Sequence, residues 1–486
     1  MIHWRTGIVT AIRSTRPGLT EFTAELETPL PGTDIAEIKA IAYTDAVGEP
    51  EVGDTVLLNV SALAKRLGTG GFGLVVALPD RLPADPPPGP GHLVKDRYSP
   101  LQTMVLGVDD QESEHHGVLA AAESLAGMPV LVADLHSALP AIVAGIRAVD
   151  DDLRVAYVLS DGAALPAAFS QAVAGLKEAG WIAGSVSTGQ SWGADLEAVT
   201  VHTGLLAAKH VLGADIAVVA QGPGNLGTGT KYGFSGLVAG EHLNAAALLG
   251  GVPVGVLRMS NADARGRHFG ISHHTLTSLA EVARPGVRVP VPDFTTLTEA
   301  ERAEMDPEPG VIAETVAAQL PQLRGHERID VDLTGLWPAL QASPVGLSTM
   351  GRRLPADAAA FLAAAAAGRY AAGLVEPAPA VQGNDVVVAE RGVVAVAVPV
   401  ELDAAVAVRL AAGAVGLFNQ PKGKEDVGYR EDGAQRCPEP CPADLREAAH
   451  WPAEKLHPAA GNRLGAAGLH TVRRVRPGDL RSLRRL

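Results

Sequence analysis

Aromatic residues make up only 4% of this chain, and its thiols are confined to Cys437 and Cys441 near one end. Two late cysteines cannot staple the body, which excludes a disulfide-framed secreted fold. No apolar run is long enough to span a bilayer. The nearest, Ala358 to Val375, is mostly alanine and is broken by Arg369. Met1-Ile2-His3-Trp4-Arg5 leads straight into strand-like sequence with no cleavable apolar segment, so the expectation is a cytoplasmic protein without a membrane partner. A formal net charge of −14 disfavours nucleic acid, although the chain ends on a basic stretch, Arg481 to Leu486.

What is abundant is alanine, glycine and valine, spread over 486 residues, too many for one ordinary core. Small residues let helices and sheets approach closely, which favours a layered α/β architecture. Residues 1–80 read as a small β domain: short β-prone runs at Thr6–Ile12, Glu21–Leu26, Ile38–Tyr43, Thr55–Asn59 and Phe72–Leu78 alternate with Pro/Gly turns, and predict a compact barrel of about five strands. Residues 81–127 form a connector that opens with the proline-rich strap Asp80–Gly91. Residues 128–375 alternate buried-strand patterns with helical ones. The strands are Val130–Ala133, Val155–Leu159, Ile182–Val186, Ile216–Ala220, Val252–Leu257 and Val287–Val291. The helices are Leu139–Val149, Leu165–Ala179, Leu196–Leu212, Leu237–Leu249 and Asp357–Ala372. That alternation predicts a mostly parallel, doubly wound sheet. Residues 376–486 read as a weakly ordered C-terminal extension.

Ligands bind at strand carboxyl ends in open α/β sheets, so the loops following these strands are where chemistry is expected. The loop Gln221–Lys231 carries Gly222, Gly224, Gly227 and Gly229, then Lys231. It reads either as an anion cradle of backbone N–H groups with Lys231 as a point charge, or as a structural tight turn; Pro223 removes a donor the cradle would use. The segment Ser260–Thr275 is the densest ionisable cluster, with Asp263, Arg265, Arg267, His268, His273 and His274. Arginines suit carboxylate or phosphate, and a histidine moves protons near neutral pH. Neighbouring His273 and His274 are expected to point apart, with at most one facing the site, and Ser272 to cap a helix. Asp195 and Glu197 are expected to open a helix, where they either offset its dipole or serve as base, hydroxyl-binding group or cation ligand.

Asp134 and His136, joined by Asp161 and one of the histidines of the Ser260–Thr275 segment, form an alternative divalent-metal set. Ser137 or Ser187 as nucleophile lacks the usual elbow sequence. Cys437-Pro-Glu-Pro-Cys441 with His450 and His457 departs from zinc-knuckle spacing.

Leu131-Val-Ala-Asp-Leu-His-Ser137, Gln221-Gly-Pro-Gly-Asn225, Gly227-Thr-Gly229 with Gly233-Phe-Ser-Gly236, and Ser272-His-His-Thr275 carry a resemblance. Over roughly residues 1–375 the chain resembles a family of uncharacterised Gram-positive bacterial proteins known as a domain of unknown function. The resemblance implies the domain boundary and the choice of loops, and supplies no activity. On the residues alone, the leading expectation is an enzyme acting on a small anionic, phosphorylated or carboxylated metabolite. In it Gly222–Gly229 and Lys231 hold the anion, Arg265 and Arg267 orient it, and His268 or His273 moves the proton, with Asp195 in reserve. Two other readings stand beside it: a non-catalytic metabolite sensor or assembly protein whose β domain docks a protein or RNA, and a metal-dependent hydrolase. A homo-oligomer fits any of them.

Overall fold

The structure, a computed structural model, describes residues 2–67 and 70–375, with short strand pieces at 386–388, 396–397 and 473–475. Met1–Glu376 is one compact unit and Pro377–Leu486 another. The expectations of a weakly ordered tail and of a knuckle at Cys437 and Cys441 fall outside the described residues.

Five strands, β1 (Trp4–Arg16), β2 (Leu19–Leu26), β3 (Glu37–Ala42), β4 (Thr55–Asn59) and β5 (Phe72–Ala77), close into a barrel of order β1-β2-β3-β5-β4. Closure removes the free edges that short strands would otherwise expose. Val9, Phe22, Ile38, Val56, Leu58 and Val75 alternate inward and fill it. Two register shifts in β1, at Val9/Ala11 and Ile12/Ser14, bend this long strand along the barrel wall. The proline strap that follows carries no strand until the hairpin of β6 (Leu93–Lys95) and β7 (Thr103–Val105).

The second layer is an all-parallel eight-stranded sheet. Its members are β8 (Pro129–Val132), β9 (Val155–Ser160), β10 (Gly184–Ser187), β11 (Leu196–Glu197), β12 (Ile216–Gln221), β13 (Val252–Gly255), β16 (Arg288–Asp293) and β17 (Glu327–Asp332). A small ribbon, β14 (Met259–Ser260) with β15 (Gly270–Ile271), branches off after β13. The sheet order is β11-β10-β9-β12-β8-β13-β16-β17. Successive apolar residues of β8, β9 and β12 are buried on both faces, which is why these strands read as unbroken apolar runs.

Two predicted details differ. The edge strand β17 was not anticipated, because Glu327-Arg-Ile-Asp-Val-Asp332 is mostly exposed and charged. The acids Asp195 and Glu197 do not open a helix: Leu196–Glu197 pairs in parallel with β10, and the helix begins at Val201 behind the Thr200 cap. Tertiary partners overrode the helical pattern. Asp195 accepts from the N–H and hydroxyl of Ser185, both at 2.8 Å, and Glu197 meets the buried Lys95 ammonium at 3.4 Å.

The membrane-like run of alanines is a core helix, Ala358–Ala372, and no helix among the described residues is long and apolar enough to cross a membrane. It packs on the helix Leu139–Arg147 and against β16. Glycines set the contact. A Cβ on Gly145 would lie 2.0 Å from the Ala365 carbonyl oxygen, and one on Gly368 would lie 2.0 Å from that of Ile142. On the opposite face the helices Val201–His210 and Ala239–Leu248 pack together, the second also against the π-helical turn Ser278–Val282.

Candidate functional site

The strand order places β8 between β12 and β13. From β8 the chain passes over β12 to reach β9; from β12 it returns across β8 to β13. The two crossovers run in opposite directions, so their helices lie on opposite faces and a crevice opens at the carboxyl end of β8. Asp134 and His136 follow β8, Gln221 ends β12, and Arg258 follows β13. A partly enclosed cavity of about 30 Å³ is bordered by Asp134, Arg258, Ser260, Asp263, His268 and Arg352. An open cavity of about 300 Å³ adjoins it, bordered by His136, Ser137, Gly224, Asn225 and Met350. Ser137 and Thr349 line both and are hydrogen-bonded to each other at 3.0 Å.

Three histidines meet beside the partly enclosed cavity. One ring nitrogen from each of His268, His273 and His274 lies within 4.8 Å of the others. The ring centroids of His268 are 4.9 Å from His273 and 5.1 Å from His274, and those of His273 and His274 are 4.3 Å apart. The expectation that only one of His273 and His274 faces the site is therefore corrected. They open the short helix His273–Thr277, where the first turn has no preceding residues to crowd either ring, so both lean onto His268. Ser272 organises the group: its buried hydroxyl accepts the His274 N–H and lies 2.8 Å from His268 Nδ1. His273 Nε2 is buried without a hydrogen-bond partner. Burial, followed by the field of neighbouring arginines, pushes His268 down to about 4 and lowers His273 likewise; burial, followed by the neighbouring His273 and then Arg258, pushes His274 down to about 3. At physiological pH the three imidazoles are thus neutral.

The charges around them pair off. Arg258 Nη1 donates to His274 Nδ1 at 3.3 Å and lies 3.6 Å from Asp134. Burial pushes the Asp134 carboxyl up and Arg258 opposes that. Asp263 takes Arg265 through two bonds, at 2.9 and 2.7 Å, which holds its carboxyl well below the usual range. Arg352 bridges Asp263 at 3.3 Å and the fully buried Asp357 at 2.8 Å; Asp357 also accepts from Ser260 and from the Asn261 N–H. Arg267 is exposed, and its charge reaches His273 and His274.

Several predicted residues therefore serve other purposes. Arg265 is paired with Asp263 through its Nε and Nη2. Both ring nitrogens of His136 are taken, Nδ1 by the Tyr157 hydroxyl at 3.1 Å and Nε2 by Ser170 at 2.6 Å. It therefore offers a metal no lone pair, and Asp134 is turned to Arg258. Asp195 lies at the outer part of the sheet with Lys177 and Ser185. Within the glycine loop, Thr228 N–H donates to Gly233 at 2.7 Å and Leu226 N–H to Ser235 at 3.1 Å. Gly224 and Gly229 adopt φ of 104° and 81°, as a turn needs, while Gly222 is pressed against Ala164 and Gly227 bridges Phe234. Lys231 pairs with Glu281 at 2.8 Å. This loop also lays Phe234 flat on His274, with ring centroids 3.9 Å apart.

Arg258, Arg352 and Asp357 were not anticipated. Arg258 was accessible to the same strand-end argument that singled out Asp134. Arg352 and Asp357 come from a distant part of the chain and join only through packing of the alanine helix.

A family model described as "Protein of unknown function (DUF3866)" matches residues 39–368. No curated protein and no solved structure matches the chain.

Proposed function

This chain belongs to the DUF3866 family of proteins of unknown function, and for it we propose an enzyme acting on a small anionic metabolite in the crevice at the carboxyl end of β8. The observation that carries this reading is the cluster of three neutral imidazoles, His268, His273 and His274, beside Arg258 at a topological switch point. A structural core would not place an unpartnered imidazole nitrogen next to cationic side chains; a reactive centre needs both groups. Arg258 and Arg267 supply the electrostatic hold and the imidazoles carry the chemistry, while the 300 Å³ cavity, which meets the cavity of Arg258 and His268 at Ser137 and Thr349, admits the body of the substrate. Phosphate esters and small carboxylates are the classes that suit two guanidinium groups.

The test is a calorimetric titration of the full chain with inorganic phosphate, phosphorylated metabolites and small di- and tricarboxylates. Arg267→Ala removes an exposed cation that supports no packing, so it should fold normally and weaken binding by about tenfold, roughly 1.4 kcal/mol. His273→Ala should keep most of the binding and lose turnover of whichever compound binds, since the imidazole acts chiefly in the transition state. If no anion binds, the reading fails. If anions bind and none is turned over, the chain is a sensor.

A further inference from the structure

We propose that His268, His273 and His274 hold one divalent transition metal of the zinc class. The inference rests on the reading of this cluster as the reactive centre and names what that centre carries. Among the described residues there are three groupings of potential metal ligands. The set His92, Asp110 and Glu112 and the set Asp150, Asp151 and Asp152 are largely exposed and rich in carboxylates, whereas the three-histidine set is at least half enclosed and purely imidazole. Three imidazoles with one open position are a donor set that zinc, cobalt or iron accepts, and that leaves a site for substrate oxygen.

The supporting shell is already in place. Ser272 occupies His268 Nδ1, which leaves Nε2 to ligate, and it simultaneously fixes the backbone of His274. That is the usual way a second hydrogen bond aims a ligating imidazole. His273 contributes the buried Nε2 that has no partner in the protein. His274 contributes Nδ1, and Arg258, now on that nitrogen at 3.3 Å, turns fully onto Asp134, whose Oδ2 is likewise buried without a hydrogen bond. Two unsatisfied buried atoms are thus satisfied by one event. A dication is tolerated beside arginines here because Asp134 faces Arg258, and Asp263 and Asp357 face Arg265 and Arg352.

The experiment uses the full chain, stripped with a chelator, reloaded with Zn²⁺ or Co²⁺ and desalted. Metal is counted by mass spectrometry, and the Co²⁺ form is examined by visible absorption. The expected result is about one metal per chain, with cobalt bands of four- or five-coordinate intensity. His273→Ala and the gentler His273→Gln should each weaken binding by at least about 100-fold, beyond what loss of a supporting contact does. His92→Ala should leave stoichiometry unchanged. A chain that retains no metal overturns the proposal, as does retention unaltered in folded His273→Gln. Loss of the metal in Cys437→Ser/Cys441→Ser, with His273→Gln unaffected, also overturns it by assigning the ion to the tail. Phosphate titration of the stripped protein separates the two readings: anion binding without metal binding sinks this inference alone.

Discussion

Gly145→Ala and Gly368→Ala are expected to destabilise the protein, although glycine-to-alanine exchange inside a helix ordinarily stabilises it by about 1 kcal/mol. The added methyl in each case would lie 2.0 Å from a backbone carbonyl oxygen of the facing helix, and a backbone atom cannot turn aside as a side-chain tip can. The helices Leu139–Arg147 and Ala358–Ala372 must therefore part, and the alanines between them lose contact along the whole seam. A loss of about 3 kcal/mol or more is expected at either position, at or above the upper end of ordinary overpacking. That is a large share of the roughly 5–15 kcal/mol by which domains are stable. Gly117 is the control: it is exposed on the helix His116–Ala121, and a Cβ there meets nothing within 4 Å. Urea unfolding of the three variants should give one sign for Gly117→Ala and the opposite for the other two. Equal signs would refute the close approach.

Lys95→Met should be nearly as damaging. The Lys95 ammonium is fully buried and donates to the Ser191 and Ala198 carbonyls at 2.8 and 2.9 Å, with Glu197 at 3.4 Å. It fastens the β6–β7 hairpin to the edge strand β11. Removing one partner of such a pair leaves a buried carboxylate and two carbonyls unanswered, at about 3–5 kcal/mol. Burial already pushes Glu197 up to about 7, above its value of 4.5 in an open chain. A carboxyl raised on folding contributes stability that is complete below pH 4.5 and lost as pH rises through 7. The damage from Lys95→Met should therefore be smaller at pH 5 than at pH 8, where Glu197 would be charged and alone. Lys95→Met/Glu197→Gln should recover much of the loss and flatten that pH dependence. A pH-independent loss, or no recovery in the double variant, would mean that packing of the lysine stem matters more than its charge.

Both variants test positions that the composition explains only after the fold is known. Alanine and glycine abundance pointed to close packing, but not to Gly145 and Gly368 as the touching points. Lys95 sits in a connector read as strap, yet it is the polar anchor of the sheet edge. The strand runs were legible for a local reason: a strand buried on both faces must be apolar at every position, as Val130–Val132 and Val155–Leu159 are. β17 was missed for the converse reason, since an edge strand with one wet face can be Glu-Arg-Ile-Asp-Val-Asp. Of the candidate site, the loop after β13 was legible because ionisable residues crowd it. The neighbouring glycine loop stayed ambiguous, because the same glycines that could open a cradle also close a turn.

By itself, then, the sequence determined the alternation of elements, the barrel-then-sheet order, and the sheet edge at which the ionisable residues collect. Those follow from side-chain period and turn chemistry, which act over a few residues. Tertiary structure decided the strand order, the partners of Asp195, Arg265 and His136, and the convergence of His268, His273 and His274. It also brought Arg352 and Asp357 in from the far end of the domain. Such choices depend on which polar atom finds which partner once the chain is packed, at separations that reach 97 residues for Ser260 and Asp357. Hydrogen-bond satisfaction in a closed interior is a property of the whole packing, and no local pattern encodes it.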